Sequence, residues 1–117
     1  MKEINFDAVV IGGGAAGMAA ALELDSAGFS CAIVEREERL GGILGQCIHN
    51  GFGLIEFDEE LTGPEFAERM EERLAGTRIQ SFTGATVMEM DTRAEIKSLY
   101  CYTAAYGVLR LNARPAV

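Results

Sequence analysis

The chain has 117 residues, one small domain's worth, with 49% apolar residues, 24% charged and a net charge of −8. That balance fits a soluble α/β protein and argues against nucleic acid or an anionic membrane surface as partner. No apolar run approaches a membrane span and no basic segment precedes the predicted Ile4-to-Ile11 strand, so no signal peptide is expected and the cytoplasm is the predicted location.

Asp7-Ala8-Val9-Val10-Ile11 is a short β-branched run, predicted as a parallel strand buried on both faces. It leads into a G-x-G-x-x-G at Gly12, Gly14 and Gly17. Gly12 permits a tight turn, Gly14 lets a pyrophosphate approach bare backbone, and Gly17 lets the next helix pack closely on the strands. That helix is predicted from about Ala15 to Ala27. Because it opens with Ala15 and Ala16, its N-terminal amides stay accessible, and with the helix dipole they favour a diphosphate. Gly28 stops the helix, and Ser30 to Val34 makes the next strand.

Glu35 ends that strand, 18 residues beyond Gly17, near the spacing of about 20 expected for the acid that holds a ribose. A carboxylate suits two free ribose hydroxyls and repels a 2′-phosphate, which disfavours NADP here and leaves FAD and NAD open. The plain alternative is a glycine-rich turn that binds nothing. Arg36 then stands beside the ribose acid, and Gly41-Gly42 follows shortly after. Such a pair lets the chain pass close to an extended flavin cofactor, whereas NAD domains usually run straight into a second helix. A simple turn at Gly41-Gly42 and a solvated charge at Arg36 are the competing readings.

A long irregular stretch is predicted from Arg39 to Gly63. Thr62-Gly63-Pro64-Glu65 has the spacing of a capping box with proline in the first turn. Phe66, Met70 and Leu74 recur at helical spacing, with Glu68, Glu71, Glu72 and Arg73 facing water, and Gly76 ends the helix. Arg78 to Phe82 reads as a third parallel strand. Thr86 to Met90, Ile96 to Thr103 and Gly107 to Leu111 alternate in character and predict an antiparallel meander lying across the sheet. The last of these, within Tyr106 to Val117, leads toward a further buried strand. The acidic stretches Glu56 to Glu60 and Glu65 to Glu72 read as solvated faces.

The string DAVVIGGGAAGMAAALELDSAGFSCAIVEREERLGGILGQCIHNGFGL resembles the N-terminus of FAD-dependent pyridine nucleotide-disulfide-type oxidoreductases. Within them it is most similar to a bacterial subgroup carrying LGGIL-x-QCIHNGFGL and LTGPE. The resemblance covers essentially the whole chain and is specific in its first half. It implies FAD bound non-covalently, with Gly12, Gly14 and Gly17 at the pyrophosphate and Glu35 on the adenosine ribose. Arg36, Gly41 and Gly42 would line the same cofactor, and the backbone near Val87 would approach the adenine. Val87 as plain core is the competing reading. Complete members have a second nucleotide domain for NAD(P)H, which passes a hydride to the flavin.

Members with a redox-active pair near the first glycine pair use C-x-x-x-x-C, and this chain has Cys47 alone there. Cys31, Cys47 and Cys101 are widely spaced, which fits a reducing compartment and argues against dithiol chemistry. Cys47 and His49 are a weak metal or nucleophile pair; a polar loop of Gln46, Cys47, His49 and Asn50 near the flavin or substrate is the better reading. His49, the chain's only histidine, is a general acid–base candidate in the whole enzyme, with a satisfied structural histidine the favoured reading. No other metal or serine-nucleophile motif is present.

The expected fold is therefore α/β, a Rossmann-like FAD/NAD(P)-binding domain with a parallel sheet and an antiparallel β-meander. Residues 1–117 are read as its N-terminal part, expected to be inactive alone and to hold flavin weakly. The expected function is the FAD-binding portion of a flavin-dependent, NAD(P)H-linked oxidoreductase. Two alternatives stand: a nucleotide-binding or electron-transfer module without its own catalysis, and an NAD-dependent Rossmann dehydrogenase. Expected partners are the dinucleotide, an electron acceptor of unstated kind, and a partner subunit or second copy.

Overall fold

The computed structural model describes residues 1–42, 44 and 61–114. Its centre is the strand β3 (Cys31–Val34), buried at every position. The pleat explains this: Ala32 and Val34 enter one core and Cys31 and Ile33 another, so neither face meets water. β2 (Ala8–Ile11) and β4 (Gln80–Phe82) flank β3, both parallel to it, and β3 fixes their register through Val34 opposite Ile11 and Phe82.

Two helices cover one face of this sheet. α1 (Ala15–Ser26) buries Met18 and Ala21, and α2 (Gly63–Ala75) buries Ala67, Met70 and Leu74. α1 ends where Gly28 adopts φ +90°, with Gly28 N–H bonded to Asp25 O and Phe29 N–H to Leu24 O, satisfying the last carbonyls. α2 opens with the predicted capping box: Glu65 N–H donates to Thr62 Oγ1 at 3.3 Å and Thr62 N–H to Glu65 Oε1 at 2.9 Å. These bonds, the backbone one foremost, hold the Glu65 carboxyl below its ordinary value. The box is thus intact at neutral pH and opens as acid protonates Glu65. Thr62→Ala is expected to lower stability by about 1 kcal/mol, read as a lower urea midpoint with an unchanged slope.

The second sheet lies on the other face, with β1 (Lys2–Phe6) at one edge in the order β1-β7-β6-β5. β5 (Thr86–Asp91), β6 (Lys97–Thr103) and β7 (Gly107–Ala113) form the predicted antiparallel meander. Leu99, Cys101, Leu109 and Leu111 point from it into a core shared with Ala32, Val34, Phe6 and Phe82. The result is three layers, helices on parallel sheet on meander. No helix among the described residues is long and apolar enough to cross a membrane.

Two expectations fail at the N-terminus. Ile4 to Ile11 is not one strand: β1 (Lys2–Phe6) pairs parallel with β7 in the meander sheet, and the chain changes sheets at Asp7. A reciprocal latch makes the step, with Asp7 N–H on Ser30 Oγ and Ser30 N–H on Asp7 Oδ2, both at 2.8 Å. β7 accordingly finds β1 beside it. Nor is β2 buried on both faces. It lies at the edge of the parallel sheet as described, so Ala8 to Val10 are half-buried and Ile11 is 54% exposed.

The outer face of the meander carries a polar network that ties β1 in place. Asn112 Nδ2 donates to Glu3 Oε1 at 2.7 Å and Asn5 Oδ1 at 2.8 Å, while Ser98 Oγ donates to Asn112 Oδ1 at 2.8 Å. Asn112 is only 4% exposed, so these bonds replace water it has lost.

Candidate functional site

The turn out of β2 is set by main-chain geometry. Gly12 sits at φ +104°, where a side chain would be strained, and its N–H donates to Val34 O at 2.8 Å. A Cβ on Gly17 would fall far inside van der Waals contact with the carbonyl oxygen of Gly12, so α1 crosses the turn at a distance only glycine allows. Gly14 caps α1 in extended conformation, with no side-chain cap bond, and a Cβ there would meet open space. The first helical bond is Met18 N–H to Gly14 O, which leaves the N–H groups of Ala15, Ala16 and Gly17 without intrahelical partners. α1 has no acidic residue in its first turn to compete for them.

Glu35 follows β3 and is 8% exposed. Its Oε1 accepts from Gly13 N–H and its Oε2 from Glu37 N–H, each at 2.8 Å. An ionised carboxylate has about four acceptor sites, so about two remain for a ligand. The segment around it is strapped from the β4–β5 loop. Glu35 N–H donates to Phe82 O, Gly84 N–H to Glu37 O, and Ala85 N–H to Glu35 O, at 2.8 to 2.9 Å.

Beside Glu35 opens a groove of about 950 Å³ between residues 35–42 and α2, whose Pro64, Ala67, Glu68 and Glu71 form the far wall. Such a volume holds a nucleotide-sized ligand. Arg36 stands at its rim, its side chain 82% exposed and its guanidinium 3.8 Å from Glu37. Glu68 and Glu71, expected simply to face water, line the groove, and Glu71 approaches Arg39 at 3.8 Å. Gly41 and Gly42 both have positive φ, +118° and +55°, and Gly41 N–H donates to Gly13 O at 2.7 Å. The glycine pair is thereby folded back onto the glycine turn.

The structure thus gathers Gly12, Gly14, Ala15, Ala16, Gly17, Glu35, Arg36, Gly41 and Gly42 around one turn and one groove. Val87 stands apart: it is partly buried against the core between the sheets and is not among the groove-lining residues. Sequence reasoning passed over Gly13, which meets Glu35 through its N–H and Gly41 through its carbonyl. The spacing rule treats that position as free, so only its smallness could have signalled it. Cys47 and His49, with Gln46 and Asn50, lie outside the described residues. Cys31 and Cys101 are buried free thiols, and burial raises both above the ordinary thiol value, with the charge of Asp25 adding to the effect at Cys31. Both stay protonated at neutral pH and make poor nucleophiles. Among the described residues no cluster of His, Cys, Asp and Glu could hold a metal ion.

The family described as FAD binding domain matches residues 7–78, which span the glycine turn, Glu35 and α2. A soluble pyridine nucleotide transhydrogenase from Photobacterium profundum is 44% identical over 50 residues, 43% of this chain and 10% of that protein. Among solved structures, L-proline dehydrogenase from P. horikoshii superposes with TM-score 0.76 at 20% identity, covering 97% of this chain and 22% of that one. Thioredoxin reductase from Streptococcus pyogenes gives TM-score 0.73 at 25% identity, over 92% of this chain and 33% of that one. The chain therefore spans a third or less of the length of each of these relatives.

Proposed function

We propose, for a chain that belongs to the FAD binding domain family, that residues 1–117 supply the adenosine-diphosphate half of the flavin site in a larger NAD(P)H-linked oxidoreductase. The α/β layering and the likeness to flavin-dependent oxidoreductases support this reading. One observation carries it: a buried carboxylate held by two main-chain N–H groups, with acceptor sites to spare, opening on a groove beside an uncapped helix N-terminus.

The residues present fit the cofactor. The free N–H groups of Ala15, Ala16 and Gly17 would hold the diphosphate, Glu35 the ribose hydroxyls, and Arg36 with the Gly41–Gly42 turn the groove side of the adenosine. Bound flavin supplies hydride chemistry, while these residues supply binding and orientation. Cytoplasmic location is part of the same reading and is supported by the free thiols at Cys31 and Cys101.

Absorbance of the full-length protein tests the proposal. Purified material is expected to show flavin bands, to release FAD and not FMN on denaturation, and to bleach when NADH or NADPH is added without oxygen. A colourless protein that takes up no added FAD would remove the reading. A flavin that neither nicotinamide reduces would remove the NAD(P)H link alone.

A further inference from the structure

We propose that Gly13, the residue between the first two glycines of the turn, is the positioning residue that presets Glu35 for a ribose cis-diol before any nucleotide arrives. The inference rests on the adenosine site proposed above. Gly13 is buried, and its main chain reaches two other parts of the site. Its N–H donates to Glu35 Oε1 at 2.8 Å, and its carbonyl accepts from Gly41 N–H at 2.7 Å. Glu37 N–H holds the second carboxylate oxygen at 2.8 Å. With both oxygens pinned, the carboxylate plane is fixed and its remaining acceptor sites keep one direction toward the groove.

A side chain at Gly13 would crowd both Leu40 and Glu35. A Cβ there would overlap Leu40 Cδ2 severely and would stand 3.2 Å from Glu35 Oε1 and 3.3 Å from Glu35 Cβ. The first conflict concerns packing and can be relieved by shortening Leu40. The second falls on the Glu35 side chain, which would have to give by a few tenths of an ångström and so shift the pinned carboxylate. These two consequences of one methyl group are separable.

The test compares ADP with 2′-deoxy-ADP on the flavin-free full-length protein by calorimetry. The wild type is expected to prefer ADP by about tenfold, the worth of one hydrogen bond to a charged acceptor, and the preference measured for Leu40→Ala, itself a groove-lining variant, is the reference for the double variant. Adding Gly13→Ala to Leu40→Ala should bring that preference below about threefold while the melting temperature stays that of Leu40→Ala. A purely structural role for Gly13 predicts the opposite, a preference that returns with stability. An undiminished preference in the double variant would overturn the inference and leave the adenosine site standing. Absence of ADP binding by the wild type would instead overturn the site itself.

Amide exchange in the nucleotide-free wild type gives a reading that needs no variant to fold. Gly13 N–H should be protected while those of Ala15 and Ala16 exchange freely, and ADP should protect the latter two without changing Gly13. Free exchange at Gly13 would mean that Glu35 is not preset.

Discussion

Gly17→Ala is expected to yield a protein purified without flavin. In an ordinary helix this change stabilises by about 1 kcal/mol, because alanine loses less backbone freedom. Here the sign reverses. The new methyl would overlap the Gly12 carbonyl and would stand 3.3 Å from Val10 Cγ1. A carbonyl held by the turn cannot move aside as a flexible side chain would, so α1 must tilt away from β2. Overpacking of this kind costs about 1 to 3 kcal/mol, and a backbone obstacle belongs at the upper end. Tilting also carries off the N–H groups of Ala15 and Ala16. The ratio of flavin to protein after purification reads the loss of binding, and urea unfolding reads the stability. A variant with full flavin content would show that the helix start does not hold the diphosphate.

Glu35→Ala should be nearly as damaging by another route. It removes the acceptor of two main-chain N–H groups at once, those of Gly13 and Glu37. A buried donor left unpaired costs about 1 to 3 kcal/mol, and Gly13 is buried whereas the Glu37 side is partly open to water. The fold should therefore lose about 1 to 3 kcal/mol before any cofactor is considered. Flavin affinity should fall by about ten- to a hundredfold in addition, since a ribose hydroxyl loses a charged acceptor. Titration of FAD into the flavin-free protein measures the second effect, and denaturant midpoints without FAD measure the first. An unchanged dissociation constant would count against the ribose role, whatever the stability did.

Most of the layering was legible in the residues because each element carries its own local signal. The glycine turn, the capping box at Thr62 and Glu65, the positive φ at Gly28 and the alternation from Thr86 to Leu111 all follow from short-range chemistry. What escaped was non-local. Nothing in Lys2 to Phe6 announces that its neighbour is β7, since that pairing is fixed by Asn112 reaching Glu3 and Asn5 across the sheet. The half-exposure of β2 escaped for the same reason: an apolar run does not disclose whether it stands in the middle or at the edge of a sheet. At the site, the spacing of Gly12, Gly14, Gly17 and Glu35 marked a turn that the structure brings against the Glu35 carboxylate. The strap from Gly84 and Ala85 and the double role of Gly13 depend on main-chain groups, which leave no mark in side-chain identity.

The union of β1 with β7 has a consequence for biosynthesis. Glu3 and Asn112 are 109 positions apart, so β1 leaves the ribosome well before β7, the strand it pairs with. At about 5 to 20 residues per second that interval is roughly 5 to 20 s. During it β1 has no partner strand, and a chaperone acting on this protein has that window in which to matter.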